Sequence, residues 1–95
     1  MIQVEYRPKS RVLQVQGHAE YAPIGKDIVC AGVSALIFGL VEYLQQTGNV
    51  SAFKESKGSI YVKSKRADRA FDVTVCGLKN LERVYPKNVA VKIVT

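Results

Sequence analysis

The only histidine of the chain and one of its two cysteines stand twelve residues apart in the stretch GHAEYAPIGKDIVCAGVSAL, which runs from Gly17 to Leu36. A cysteine thiolate is a strong nucleophile, and a neighbouring imidazole can take the thiol proton or form an ion pair with the thiolate. Together, such groups perform acyl transfer in cysteine hydrolases. Whether His18 and Cys30 work in this way depends on the elements that carry them.

The residues before Cys30 predict the start of a helix. Asp27 precedes a long apolar stretch and has the side chain of an N-cap, which places Cys30 at the third helical position. A helix N-terminus carries unpaired N–H groups and about half a positive charge, so it favours a thiolate and can hold a developing oxyanion. Cys30 and Ser34 lie one turn apart at the edge of the apolar stripe, so we expect a partly accessible thiol. Gly25, in the loop between His18 and Cys30, would let that loop move over a substrate.

The same residues also allow an inert interpretation, which the pattern alone favours. Cysteine is among the most often buried residues, so Cys30 can be an ordinary residue of the core. An aspartate before a helix is more often only a cap than a catalytic carboxylate. A serine inside a helix, such as Ser34, more often bonds back to the preceding turn than takes part in chemistry.

Cys76 and a metal site are less favoured. Cys76 stands beside Val75 and Leu78 in the second predicted helix, and we expect it in the core. The chain offers His18, Cys30 and Cys76 as metal ligands, without paired spacing. Because a structural zinc site needs four ligands, we predict no metal.

The elements around this stretch alternate in a definite order. Alternating apolar residues predict strands over residues 2–6, 12–16 and 89–93, and a hairpin of Val50–Ser56 with Ser59–Ser64 around Lys57-Gly58. Helical spacing predicts one helix that ends near Thr47-Gly48-Asn49 and a second from Phe71 to Tyr85, before Pro86. The order ββαββαβ predicts a single α+β domain over residues 1–95, a two-layer sandwich of two helices on a mostly antiparallel sheet.

The first predicted helix is apolar on more than one side. Its run without charge, residues 28–41, is shorter than the roughly 20 residues that span a bilayer, so we expect a buried helix and no membrane contact. Small residues and one phenylalanine occupy the side away from the core stripe: Ala31, Gly32, Ala35, Phe38 and Gly39. That side must meet the other helix or a second copy of the chain, which indicates a homodimer.

The overall charge leaves two interpretations open. The net charge is +6, and the densest basic segment is KSKRADR, from Lys63 to Arg69. Without a stacking motif or a zinc finger, a solvated basic surface is favoured. The alternative is a noncatalytic RNA- or ribosome-binding module that uses Lys63, Lys65, Arg66 and Arg69. With few cysteines and no segment like a signal peptide, we expect a cytoplasmic protein with reduced thiols.

The stretch also resembles a known family. Gly17-His18-Ala19, Gly25, Asp27-Ile28-Val29-Cys30-Ala31 and Val33-Ser34-Ala35-Leu36 together are similar to the signature of the ribosomal-processing cysteine proteases, often called Prp. The length, the ββαββαβ order and the helix Leu78–Tyr85 before Pro86 are similar as well. One departure is Gly32, where the family pattern has alanine. It lies on the helix side away from Cys30, where it affects helix stability or the contact between subunits more than catalysis.

The resemblance implies a function and roles for residues. It implies a cytoplasmic bacterial endopeptidase that needs no cofactor and removes the N-terminal extension of a large-subunit ribosomal protein. By position, Cys30 becomes the nucleophile and His18 the general base, while Gly17, Asp27 and Ser34 become supporting residues. The segment Glu20, Tyr21, Ala22, Pro23, Ile24, Gly25 and Lys26 becomes a mobile loop. The resemblance also implies a homodimer, and the basic charge could help the enzyme find the ribosome or its RNA.

Overall fold

Seven elements follow one another in the predicted order in a computed structural model that describes residues 1–23 and 25–95. They are β1 (Ile2–Arg7), β2 (Val12–Gln16), α1 (Ile28–Gln46), β3 (Val50–Ser56), β4 (Ser59–Ser64), α2 (Arg69–Val84) and β5 (Val89–Ile93). The predicted ββαββαβ order is therefore confirmed. The first strand extends one residue further than predicted, so that the turn that follows it covers residues 8–11.

The five strands form one sheet in the order β3-β4-β2-β1-β5. Neighbouring strands are antiparallel except for β1 and β5, which pair in parallel. The predicted α+β fold with a mostly antiparallel sheet is confirmed. Because β2 and β4 lie side by side, the end of β2 at Gln16 meets the start of β4 at Ser59. This pairing brings the β3–β4 turn against the residues that follow β2.

The core lies between the sheet and the two helices. Each layer contributes side chains that are almost fully buried, because alternate residues of a strand and one stripe of a helix face the same side. From the strands these are Val4, Leu13, Val62 and Val89, and from the helices Val29, Ile37, Leu44, Phe71 and Leu78. The apolar stripe of α1, predicted to pass through Val29, Val33, Leu36, Ile37, Leu40 and Leu44, is thus confirmed, except that Leu36 is only partly buried and packs on the margin of this cluster.

The two helices contact each other through glycines. A Cβ added to Gly77 would lie 2.9 Å from Leu36 Cδ2, and one added to Gly32 would lie 3.5 Å from Leu81 Cδ1. Since Leu36 meets the middle of α2 and Gly32 meets its end, the helices run antiparallel. The second side of α1 is therefore covered by α2 only in part, and Ala31, Ala35 and Phe38 remain exposed.

One prediction about burial is wrong. Cys76 is exposed, although we expected it in the core. The stripe of α2 that faces the sheet passes through Phe71, Val75 and Leu78, and a residue next to Val75 is rotated by about 100° toward solvent. Val12, which alternates with Leu13 along β2 and lies outside the core cluster, is also buried, at 6% exposure.

Helix α1 has the length and apolar composition of a membrane span. Over an 18-residue window its mean hydropathy is 1.8, and 33% of that window is buried inside the protein. The core helix of a soluble protein meets the same criteria. Here six of its side chains are buried, and they form the middle of the core beneath the sheet. The structure therefore accounts for this apolar stretch as a core helix.

Candidate active site

A glycine turns the chain at the end of β2 and places His18. Gly17 has a φ of +94°, and a Cβ at this position would collide with the carbonyl oxygen of Met1. Its N–H donates to the carbonyl of Gly58 in the β3–β4 turn, at 2.9 Å. His18 then lies over that turn, because a Cβ added to Gly58 would be 3.2 Å from His18 Nε2. The imidazole is held at the surface by backbone that only glycines can form.

Asp27 is the N-cap of α1, as predicted, and it does more than cap the helix. Its Oδ1 accepts the N–H groups of Val29 and Cys30 at 3.0 and 2.9 Å. Its Oδ2 accepts those of Tyr21 and Ala22 at 3.0 and 3.4 Å. The hydrogen bond from the Cys30 N–H, followed by those from the loop and Val29, lowers the pKa of Asp27 against an opposing effect of burial. One carboxylate thus fastens the loop to the start of the helix.

The arrangement around Asp27 decides between two roles for that residue. Both carboxylate oxygens are bonded to backbone N–H groups, and among the described residues no hydrogen bond joins Asp27 to His18. A carboxylate that orients a catalytic imidazole accepts a hydrogen bond from a ring N–H. In this structure Asp27 instead shapes the backbone on which Cys30 stands.

Cys30 is the third residue of α1 and is partly buried, as predicted. Its Sγ accepts the N–H of Ala19 at 3.3 Å. Ala19 itself is only 1% exposed, and its carbonyl accepts Nδ2 of Asn88 at 2.9 Å. Because Ala19 is fixed from both sides, the residue before it, His18, is held close to the start of α1.

Ala19 and Asn88 were missed as site residues by the sequence analysis. Ala19 belongs to the GHA motif, so its place beside the histidine was the available signal. Asn88 lies 69 residues further along the chain, just before β5, and nothing in its local sequence links it to the thiol. Only the pairing of β1 with β5 brings it there.

The expected oxyanion donors at the helix start are already engaged. The N–H groups of Val29 and Cys30 donate to the Asp27 side chain, and that of Ala31 donates to the Asp27 carbonyl at 3.1 Å. The expectation that the N–H groups of this first turn are free is therefore wrong for these three amides. An N-cap side chain uses the very donors that an uncapped helix would offer.

Two grooves meet at the histidine and the cysteine. The first, of about 220 Å³, lies between the end of β2, the β3–β4 turn and α1. The second, of about 790 Å³, lies under the loop between β2 and α1. Three residues line both grooves: His18, Cys30 and Ser34. The structure thus brings His18 and Cys30, the predicted catalytic pair, to the same grooves as the predicted supporting residue Ser34.

The segment predicted to be mobile forms one wall of the larger groove. Glu20, Ala22, Pro23 and Gly25 line it, and Ile24 lies outside the described residues. The Tyr21 ring packs edge-on against Tyr85 with centroids 5.3 Å apart. The Lys26 N–H donates to the Pro23 carbonyl at 3.0 Å. Within residues 1–23 and 25–95, no three His, Cys, Asp or Glu side chains are grouped as metal ligands would be.

Comparison with known proteins identifies the family of the chain. The profile of the family described as Cysteine protease Prp matches residues 1–90. The chain belongs to the Prp family. Prp members are cysteine proteases, so the chain is a hydrolase, and the noncatalytic interpretation of the sequence is set aside. The predicted family is confirmed.

Individual relatives agree with the family match. The ribosomal processing cysteine protease Prp of Mycoplasma genitalium is 34% identical over 85 residues, covering 83% of this chain and 84% of the relative. The protein of the same name from Bacillus subtilis is 54% identical over a stretch of 28 residues, 30% of this chain and 25% of the relative.

Solved structures share the fold. An essential ribosomal processing protease Prp from S. aureus, in complex with a covalently linked product peptide, superposes with a TM-score of 0.89 at 24% identity, covering 99% of this chain and 100% of that one. A protein from Streptococcus mutans superposes with a TM-score of 0.75 at 29% identity, covering 100% and 95%. The two-layer arrangement of the Prp structures is the one described above.

Proposed function

We propose that this protease is a cytoplasmic endopeptidase that removes the N-terminal extension of a bacterial large-subunit ribosomal protein. The observation that carries the proposal is the position of Cys30, half-buried at the start of α1 where two grooves meet beside His18. The relatives named as ribosomal processing proteases support the choice of substrate. Both cysteines are free, which fits a reducing compartment.

In the proposed reaction the thiol and the imidazole act as nucleophile and base. His18 takes the Cys30 proton, and the thiolate attacks the scissile carbonyl to form a C–S bond. The protonated imidazole then gives its proton to the departing amine as the C–N bond breaks, leaving a thioester. Water attacks this thioester with His18 again as base, releasing the carboxylic acid and restoring the thiol. The reaction uses no cofactor.

The proposed oxyanion donor is the N–H of Ala19. This amide lies 3.3 Å from Cys30 Sγ, so it is next to any oxygen that develops on a carbon bonded to that sulfur. The Val29 and Cys30 amides donate to the strong carboxylate acceptor of Asp27, whereas the Ala19 N–H donates only to Sγ and can pass from the sulfur to the oxyanion that forms beside it. The hydrogen bond from Asn88 to the Ala19 carbonyl holds the backbone of Ala19 in place.

The supporting residues of the motif receive roles in this proposal. Gly17 aims His18, Asp27 fastens the loop to the helix, and Ser34 lines both grooves one turn from Cys30. Residues 20–23, 25 and 26 of the loop move to admit the peptide, and the bonds from Tyr21 and Ala22 to Asp27 are the contacts that such a movement would break. Loop movement of this kind both admits substrate and excludes water.

The exposed side of α1 supports a homodimer. Ile28, Phe38 and Tyr43 are 59%, 38% and 45% exposed, and small residues lie between them. Such an apolar surface on a helix is typical of an interface between subunits. Sedimentation analysis should give twice the 10.5 kDa mass of the chain, and Phe38→Asp should shift the protein toward the monomer.

The experiment that tests the function is cleavage of the ribosomal-protein precursor from the same organism. Wild type is compared with Cys30→Ala and His18→Ala, and the products are identified by mass spectrometry. We expect one N-terminal cut in the wild type, none with Cys30→Ala and a very slow one with His18→Ala. Folded wild type that cleaves no precursor would contradict the substrate, and cleavage that survives Cys30→Ala would contradict the nucleophile.

A further inference from the structure

The basic segment that the sequence singled out, residues 63–69, lines neither groove of the protease site. The Cys30–His18 site lies where β2 ends and β4 begins, whereas this segment lies at the other end of the same strands. Five residues of β2 separate the two ends by about 16 Å. Six cations collect there from the β1–β2 turn, the end of β4 and the start of α2, and we call this surface the basic end: Lys9, Arg11, Lys63, Lys65, Arg66 and Arg69.

The backbone under the basic end is joined by defined hydrogen bonds. Arg11 Nε donates to the Ser64 carbonyl at 3.2 Å, and the Ser64 N–H donates to the Arg11 carbonyl at 3.0 Å. The fully buried Ser64 hydroxyl donates to the Arg66 carbonyl at 2.6 Å. The backbone of the β1–β2 turn is thus joined to the residues after β4, and the two segments form one surface.

The cations of the basic end outnumber the carboxylates near them, six to two. Within the described parts of the chain, the one salt bridge joins Arg7 to Glu5 and involves none of the six. Two carboxylates lie nearby, and one of them, Asp68, caps α2 through the Ala70 N–H. Together with Asp72, Arg11 and Arg69 it lines a shallow groove of about 250 Å³. Most of the net charge of +6 therefore resides on this one end.

We propose that the basic end binds the phosphate backbone of RNA. Lysines and arginines that neutralise phosphates release the counterions condensed on the polyphosphate. Arginine also presents donors that match phosphate oxygens. A membrane surface fits less well, since peripheral membrane sites combine basic residues with inserted apolar side chains. The exposed apolar side chain nearest along the chain is Val73, one helical turn beyond Arg69, and a single valine offers little apolar surface to insert into a bilayer.

The location of the basic end suits a protease that works on a ribosomal particle. RNA bound there would leave the Cys30–His18 site, about 16 Å away, free to receive a peptide. The choice of RNA over DNA rests on the proposed ribosomal substrate, whereas the binding of a polyphosphate rests on charge and geometry alone.

The test is fluorescence anisotropy with a labelled 16-nucleotide single-stranded RNA, titrated with protein across a series of salt concentrations. The double variant Lys65→Gln/Arg66→Gln removes two cations from the basic end. The matched control, Lys79→Gln/Arg83→Gln, removes one lysine and one arginine from the exposed side of α2. We expect the first variant to weaken binding about tenfold and to flatten the log–log salt slope by roughly 1.4, and the control to change binding less than twofold.

Several outcomes would overturn the proposal. Equal weakening by both double variants would assign the affinity to net charge rather than to the basic end, and absence of binding at low salt would exclude RNA. Tighter binding to DNA of the same sequence, or to vesicles rich in phosphatidylserine, would assign the surface to another partner. Cleavage of a short peptide is measured in parallel, because it should be unchanged in both variants. Failure of RNA binding with intact cleavage would leave the proposed protease function standing.

Discussion

The end of the molecule that carries Cys30 and His18, called the site end, and the basic end share two local features, an N-cap aspartate and a left-handed glycine. The two ends differ in what these residues contact. Each end has a helix that begins after an aspartate N-cap, Asp27 for α1 and Asp68 for α2. The Asp27 carboxylate accepts four backbone N–H groups, two of them from a loop outside the helix. The Asp68 carboxylate accepts one, from Ala70 at 2.8 Å. The Asp27 cap therefore organises a site as well as a helix start, whereas the Asp68 cap only begins a helix.

Left-handed glycines show the same contrast. Gly58 at the site end and Gly48 at the basic end have φ values of +75° and +70°. A Cβ at Gly58 would lie 3.2 Å from the His18 ring, whereas one at Gly48 would meet nothing within 4 Å. The conformation requires glycine at both positions, but only one of them also leaves room for a functional side chain. Local signals thus specify the backbone, and tertiary contacts give it a function.

The largest predicted difference between the two helices is in the effect of replacing their cysteines. Cys30→Ala should lower kcat/KM by about a thousandfold or more, since it removes the nucleophile of the proposed reaction. Cys76→Ala should leave it unchanged, because that thiol is exposed on α2 away from the grooves. Peptide cleavage by both variants, with circular dichroism to confirm folding, measures the difference. Loss of activity in Cys76→Ala would contradict the assignment.

The second prediction compares the two caps. Asp27→Ala should lower kcat/KM at least about tenfold, because the loop and the start of α1 lose their shared acceptor and Cys30 is no longer held in place. Asp68→Ala should cost only the ~1 kcal/mol of an ordinary N-cap and leave cleavage intact. Thermal unfolding and peptide cleavage on both variants separate stability from activity. Equal activity of the two variants would show that Asp27 is merely a cap.

The sequence was a good guide to whatever is decided locally. The element order, the N-cap Asp27 and the partial exposure of Cys30 all follow from residue types at short spacing, and the structure agrees. The exposure of Cys76 could not be predicted in this way, since it depends on which side of α2 faces the sheet.

Long-range contacts at the site could not be predicted from the sequence for a similar reason. Asn88 reaches Ala19 only because β5 pairs with β1, and the loop amides reach Asp27 only when the loop folds back. The first-turn amides of Val29 and Cys30 are not free, because the N-cap side chain of Asp27 accepts the same N–H groups that would otherwise be unpaired. The resemblance to Prp supplied the residues, and the fold supplied their partners.

The third prediction concerns the two glycines. Gly58→Ala should lower kcat/KM about tenfold, because the added methyl group would push the His18 imidazole from its place. Gly48→Ala should keep full activity, although each substitution costs roughly 1–2 kcal/mol for a left-handed alanine. Chemical denaturation of both variants shows whether that backbone cost is shared. A Gly48→Ala protein that is as inactive as Gly58→Ala would indicate that strain, rather than contact with His18, causes the loss.

The smallest predicted effect is a pH dependence that arises at the site end. The backbone hydrogen bonds, with that from the Cys30 N–H first, hold the pKa of Asp27 below its ordinary value. The ionised carboxylate therefore stabilises the fold above the pKa of an unfolded aspartate, about 3.9, and this stabilisation is lost as the pH falls through the lower folded value. The stability difference between wild type and Asp27→Asn should be constant near neutral pH and shrink below about pH 4.

Asparagine makes this last comparison selective. Its side-chain oxygen can still accept the N–H groups of Val29 and Cys30, because asparagine is as good an N-cap as aspartate. Its NH₂ group cannot accept the N–H groups of Tyr21 and Ala22, so the substitution breaks the attachment of the loop and preserves that of the helix. Denaturant midpoints measured between about pH 3 and pH 7 give the difference. A difference that persists undiminished at pH 3 would mean that the loop is not held by the charge of Asp27, and the contrast between the two caps would then reduce to the number of bonds each accepts.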